Sequence, residues 1–159
     1  MQPRHIVIVL GLAGLAACST APIAPGQTMP QRAADATVLP DGLAYKVLRK
    51  GEGTVHPKLS DTVTANYSLW YPDGRMIESS CKPDKTCEPA TFPLDKLIPG
   101  WQEAIPLMTT GETMDLWLTA DLAYGDPPRK PNRPVGPLVF QIQLIDIGRP
   151  LPPPEPETK

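Results

Sequence analysis

The sequence predicts an α+β fold, a curved antiparallel β-sheet wrapped around one short α-helix, and two patterns carry that prediction. The first is period-two alternation: Val63, Ala65, Tyr67 and Leu69 alternate with Thr64, Asn66 and Ser68, and Met114, Leu116 and Leu118 alternate with Thr113, Asp115 and Trp117. Alternation of this kind marks strands with one face in the core. The second is a single helical stripe, in which Trp101, Ala104, Ile105 and Met108 have the i, i+3, i+4, i+7 spacing of one buried face. Pro99 suits the first helical position, and Pro106, with no N–H to donate, ends the helix after about two turns. At 159 residues, 41% apolar and 20% charged, the chain has room for one domain with a modest core.

From the N-terminus, Arg4 and His5 precede an apolar run over residues 6–17. As a helix this run spans ~18 Å, short of the ~30 Å hydrocarbon core, so residues 1–17 read as an export signal rather than a membrane span. The run ends in Leu15-Ala16-Ala17-Cys18, which resembles the lipobox of bacterial lipoproteins. That resemblance implies cleavage before Cys18 and lipid on its sulfur and amine, several acyl chains together giving a firm anchor. The uncharged Ser19 that follows points to the outer membrane, with the protein on its periplasmic side. Residues 18–40, rich in Pro and Ala and without a helical or strand period, read as a tether reaching ~25 Å as a coil.

The domain proper is expected over residues 41–148. After the strand around Tyr67 comes an Asp73-Gly74 turn, then Ile77-Glu78-Ser79-Ser80, and then a loop holding Cys81 and Cys87. Three cysteines are odd in an exported chain; assigning Cys18 to lipid leaves Cys81 and Cys87 as a pair, and a disulfide is expected between them. Zinc is the weaker alternative, since His5 and His56 are the only histidines and the first leaves with the signal; no metal is expected. In the last strand, from Leu138 to Ile147, Phe140, Ile142 and Leu144 face the core and Gln141 and Gln143 face out, but Ile145-Asp146-Ile147 breaks the alternation. Trp117 has the opposite parity to Leu116 and Leu118, which makes it a surface aromatic or a contact for a client. Residues 149–159 read as a proline-rich extended tail, and most of the 22 prolines lie outside the core.

Several chemistries are excluded. With His56 the one histidine of the mature chain, Ser-His-Asp and Cys-His hydrolysis lack their base. No phosphate-binding or dinucleotide glycine pattern occurs, Gly51-Glu52-Gly53 being a turn, so no cofactor is expected. Net charge is −2, and no basic stripe with interleaved aromatics invites nucleic acid.

One combination remains: Leu97-Ile98-Pro99-Gly100-Trp101-Gln102-Glu103, Leu122-Ala123-Tyr124-Gly125 and Leu138-Val139-Phe140, preceded by Tyr67, the Asp73-Gly74 turn, Glu78 and Phe92. Its order and spacing resemble the FKBP-type peptidyl-prolyl cis-trans isomerases, the macrolide-binding immunophilins, over about residues 42–147. The resemblance implies the fold above and a pocket with Trp101 as floor, Tyr67, Phe92 and Phe140 as walls, and Leu97 and Ile98 on the rim. It also implies that the Ile98 N–H and the Tyr124 hydroxyl hold substrate carbonyls. Ile77 and Glu78 complete the implied site, standing where the family usually has an aromatic residue and Asp. Residues 126–134 carry Pro, Asn and Arg where apolar residues are usual, and the cysteine-bearing loop is longer than in small family members. The implied activity is prolyl isomerisation assisting protein folding in the cell envelope, with X-Pro segments as partners and macrolides as inhibitors; the alternative is a low-turnover binding module or holdase. Some relatives dimerise through a long helix before the isomerase domain, which the proline-broken residues 18–40 do not provide, so a monomer is expected.

Overall fold

The computed structural model describes residues 25–26 and 28–148; the expected signal, Cys18 and the proline-rich tail lie outside them. Seven strands, β1 (Thr37–Val38), β2 (Ala44–Arg49), β3 (Thr62–Trp70), β4 (Met76–Ser79), β5 (Ala90–Pro93), β6 (Thr113–Leu118) and β7 (Leu138–Gly148), surround one helix, α1 (Pro99–Ala104). They form a single sheet in the order β1-β2-β6-β7-β3-β4, with β5 also beside β3. Every pairing is antiparallel. This is the α+β arrangement that the alternating strands and the lone helical stripe predict.

The nine residues of β3 hold the sheet together. On one side β3 pairs along its length with β7; on the other, its first half pairs with β5 and its second half with β4. The loop leaving between those two short strands is the cysteine-bearing one. Between Thr64↔Asp146 and Ala65↔Leu144 the register of β7 skips Ile145. That bulge accounts for the broken alternation at the end of the chain: one extra residue lets Leu144 and Ile147 both serve the core.

The helix ends as Pro106 requires. Residues Ile105–Leu107 continue it as a single 3₁₀ turn, and Trp101, Ala104, Ile105 and Met108 all pack into the main core with Val63, Leu69, Leu116, Phe140 and Ile142. Gly100 is required by close approach: a Cβ there would stand 2.6 Å from Leu118 Cδ2, and its N–H donates to the Leu122 carbonyl at 2.8 Å. The helix N-terminus therefore lies directly on the turn after β6.

The other face of the sheet departs from expectation. Asn66, Ser68, Asp115, Gln141 and Gln143, read as outward and polar, are buried. Two residues expected to belong to a free tether are hydrogen-bonded to this face: the Gly26 N–H donates to Gln141 Oε1 at 2.6 Å and Trp117 Nε1 donates to the Pro30 carbonyl at 3.2 Å. Gln141 Nε2 in turn donates to Asp115 Oδ1 at 2.7 Å, and Asn66 Nδ2 to Gln143 Oε1 at 3.0 Å. Further along, Thr37–Val38 is strand β1, so the expected boundary at residue 41 falls inside the folded unit. Trp117 is thus a half-buried anchor for the N-terminal segment, not a free surface aromatic. Sequence alternation identified the polar face correctly but could not show that the chain's own residues cover it.

Candidate active site

Ile98 caps α1 in extended conformation (φ −64°, ψ 151°), with Pro99 at the first helical position. Its carbonyl accepts from the Trp101 and Gln102 N–H groups, while its own N–H, preceding the helix, has no intrahelical partner. The Gln102 side chain donates from Nε2 to the Asp95 and Leu97 carbonyls at 3.1 and 2.8 Å. This ties the segment before the helix, with Leu97 and Ile98, to the helix itself.

Trp101 meets three aromatic rings edge-on: Tyr67 from β3 at 5.7 Å, Phe92 from β5 at 6.0 Å and Phe140 from β7 at 5.5 Å between centroids. Tyr67 and Phe92 also meet, at 6.1 Å. Edge-to-face contacts of this kind are worth about 0.5–1.5 kcal/mol each beyond the area they bury, so the cluster holds its own shape. Above it opens a cavity of about 590 Å³, a volume that accommodates a short peptide segment.

Polar groups converge on this apolar floor. The Tyr67 hydroxyl donates to Glu78 Oε1 at 2.6 Å, and two bonds to Ser80 (Tyr67 N–H to Oγ, and Ser80 N–H to the Tyr67 carbonyl, both 2.8 Å) fix the backbone there. Burial, then the Glu78 hydrogen bond and charge, push the Tyr67 phenol well above its usual range. Burial also raises the Tyr124 phenol, against the pull of Arg133. Both are protonated donors at neutral pH, and the Tyr124 hydroxyl has no hydrogen-bond acceptor among the described residues.

Of the expected site residues, Tyr67, Glu78, Phe92, Leu97, Ile98, Trp101, Tyr124 and Phe140 all line the cavity. Ile77 does not. It is the extra residue of a bulge, since Glu78 pairs with Leu69 and Met76 with Trp70, and it packs against the core instead. Sequence reasoning missed Leu69 and Ala123 on the walls, and Lys96, Arg129, Lys130 and Arg133 at the mouth. The three residues from 129 to 133 had a signal, the replacement of usual apolar positions in 126–134; Lys96 had only its place immediately before Leu97 and Ile98, the expected rim residues. Cys81 and Cys87 are joined as a disulfide, Cα atoms 4.0 Å apart, at the base of the loop between Glu78 and Phe92.

The sequence model of the FKBP-type peptidyl-prolyl cis-trans isomerases matches residues 53–145. The chain belongs to this family. It is 44% identical over 115 residues to the outer membrane protein MIP of Legionella longbeachae, covering 70% of this chain and 47% of that protein. Against the peptidyl-prolyl cis-trans isomerase Mip of Coxiella burnetii the identity is 39% over 114 residues, with the same two coverages. The chain thus spans about half the length of the curated relatives it matches. The fold aligns with the crystal structure of FkpA from Escherichia coli at a TM-score of 0.66 and 34% identity, covering 76% of this chain and 55% of that one. A peptidyl-prolyl cis-trans isomerase from Pseudomonas syringae aligns at 0.63 and 30%, covering 74% and 84%.

Proposed function

We propose that this FKBP-type chain is a peptidyl-prolyl cis-trans isomerase that assists protein folding in the bacterial cell envelope, and that Trp101 and the rings around it are its catalytic surface. The observation that supports this most is the cavity floor, four aromatic rings packed edge to face with a free tyrosine hydroxyl and a helix-capping N–H beside them. Rotation about an X-Pro bond loses amide resonance against a barrier of ~18–20 kcal/mol. The twisted amide is less dipolar than the planar one, so a water-poor aromatic pocket favours the transition state over the ground state. In this reading the prolyl ring rests on Trp101 between Tyr67, Phe92 and Phe140, with Leu97 and Ile98 at the rim. The Ile98 N–H and the Tyr124 hydroxyl hold the flanking carbonyls. Glu78 orients Tyr67 through its hydrogen bond. A gain of ~5 kcal/mol corresponds to a 10³–10⁴-fold rate. Macrolides compete for the same cavity.

Localisation belongs to the same proposal: the 1–17 signal and lipidated Cys18 place the domain, as a monomer, on the periplasmic side of the outer membrane. The printed name of the Legionella relative, an outer membrane protein, supports an envelope setting.

Cis-trans exchange of short X-Pro peptides, followed by NMR with the full chain in detergent, tests the reading. The chain is expected to accelerate exchange, Tyr124→Phe to lower kcat/KM about tenfold by removing one transition-state hydrogen bond, and Trp101→Leu to lower it further. No acceleration by a folded chain would instead favour a binding module or holdase, which suppresses aggregation of proline-free clients as well.

A further inference from the structure

We propose that the cavity selects prolyl segments carrying an Asp or Glu side chain next to the proline; this rests on the isomerase reading above and names its substrate class. The chain as a whole is acidic, with 15 Lys and Arg against 17 Asp and Glu, yet the cavity mouth is basic. Lys96, Arg129, Lys130 and Arg133 line it with a single carboxylate, Glu78, which accepts one hydrogen bond from the Tyr67 hydroxyl at 2.6 Å, so cations outnumber carboxylates there.

The four cations are not equivalent. Lys96 is ion-paired with Asp95 at 2.9 Å, an exposed contact that only partly offsets its charge. Arg129 is fixed in place, Nη1 donating to the Ala123 carbonyl at 2.9 Å and Nη2 to the Asp121 carbonyl at 2.6 Å; these bonds position its charge without cancelling it. Arg133 lies over the Tyr124 ring, its guanidinium carbon 5.4 Å from the centroid, beside the hydroxyl proposed to hold a substrate carbonyl. Lys130 is exposed between them. None of Arg129, Lys130 and Arg133 forms an ion pair among the described residues. Asp121 and Asp126, the acids of the same segment, do not line the cavity.

A peptide seated with its proline on Trp101 therefore extends its neighbouring side chains past three positive charges, Arg129, Lys130 and Arg133, that form no ion pair among the described residues. A carboxylate there is attracted and an ammonium repelled, and the partial exclusion of water by the peptide strengthens both effects. The apolar floor recognises the prolyl ring, which every substrate shares; the 129–133 segment then discriminates among the residues beside it.

The test uses the full chain in detergent with three peptides differing only before proline, as Glu-Pro, Gln-Pro and Lys-Pro, compared by kcat/KM at low and high salt. The expected Glu to Lys ratio is about tenfold at low ionic strength, with Gln between, falling below about threefold near 0.5 M salt as screening sets in. Lys130→Gln with Arg133→Gln should bring the low-salt ratio to within about twofold of one. Because the ratio is read within each protein, a variant that loses overall rate still reports selectivity. Acceleration of all three peptides alike, or a ratio unmoved by salt and by the double substitution, overturns the charge selection and leaves the isomerase standing. No acceleration of any peptide, Gln-Pro included, overturns the isomerase reading itself.

Discussion

Asp115 lies mid-strand in β6 beside Gln141, the side chain that receives the Gly26 N–H, and burial raises its pKa to about 6 against the Gln141 hydrogen bond and the Lys46 charge. With 3.8 as the ordinary value, the folded chain binds this proton more tightly than the unfolded chain does. Its contribution to stability consequently declines as pH rises from about 4 to about 6 and is level above that. Asp115→Asn keeps an oxygen for Gln141 and removes the buried charge. It should raise stability at pH 7.5 by about 1–2 kcal/mol and abolish the decline between pH 4.5 and 6.5, read from urea midpoints; an unchanged pH slope would refute the assignment. At this scale the site was largely legible in the sequence, since Trp101, Tyr67, Phe92, Tyr124 and Phe140 are aromatics at family positions. Ile77 was not, because a one-residue bulge in β4 turns it to the core and leaves Glu78 at the cavity.

Helix α1 and the β4–β5 loop show how elements carry the site. Pro99, Gly100 and Pro106 limit the helix to Pro99–Ala104 with one 3₁₀ turn after it, so a single turn presents Trp101 to three strands. The cysteine loop interrupts the edge opposite β3 between the two strands that supply Glu78 and Phe92. Closing its seven residues by the Cys81–Cys87 bond limits the unfolded chain by about 2.4 kcal/mol. Cys81→Ser with Cys87→Ser is expected to lower stability by about 1–2.5 kcal/mol and to shift peptide preference at the mouth more than turnover of the best peptide. Equal denaturation midpoints with and without the disulfide would contradict this. The pairing was legible because cysteine parity is a sequence property; the place of the loop, beside the cavity, was not, since it depends on β3 accepting two partners along one edge.

At the scale of the molecule α1 packs on one face of the sheet, and on the other the N-terminal residues Gly26 and Pro30 are held to Gln141 and Trp117. A chain beginning at residue 32 loses the Gly26–Gln141 and Pro30–Trp117 hydrogen bonds. It should be about 1–3 kcal/mol less stable than the full chain, from two lost bonds and newly exposed surface, with more efficient quenching of tryptophan fluorescence by acrylamide. Identical midpoints and quenching would show that the segment adds nothing. By itself the sequence determined the fold class, three of the seven strands (β3, β6 and β7) and their inward faces, the limits of the helix and the aromatic set, because alternation, helical spacing and proline chemistry act over a few residues. Only the tertiary structure decided that the polar face is buried and carries the chain's own residues Gly26 and Pro30, that Ile145 and Ile77 are bulge residues, and that Lys96 joins Arg129, Lys130 and Arg133 around one cavity. Those outcomes depend on register and on contacts between residues far apart in the chain, whose energies no local pattern contains.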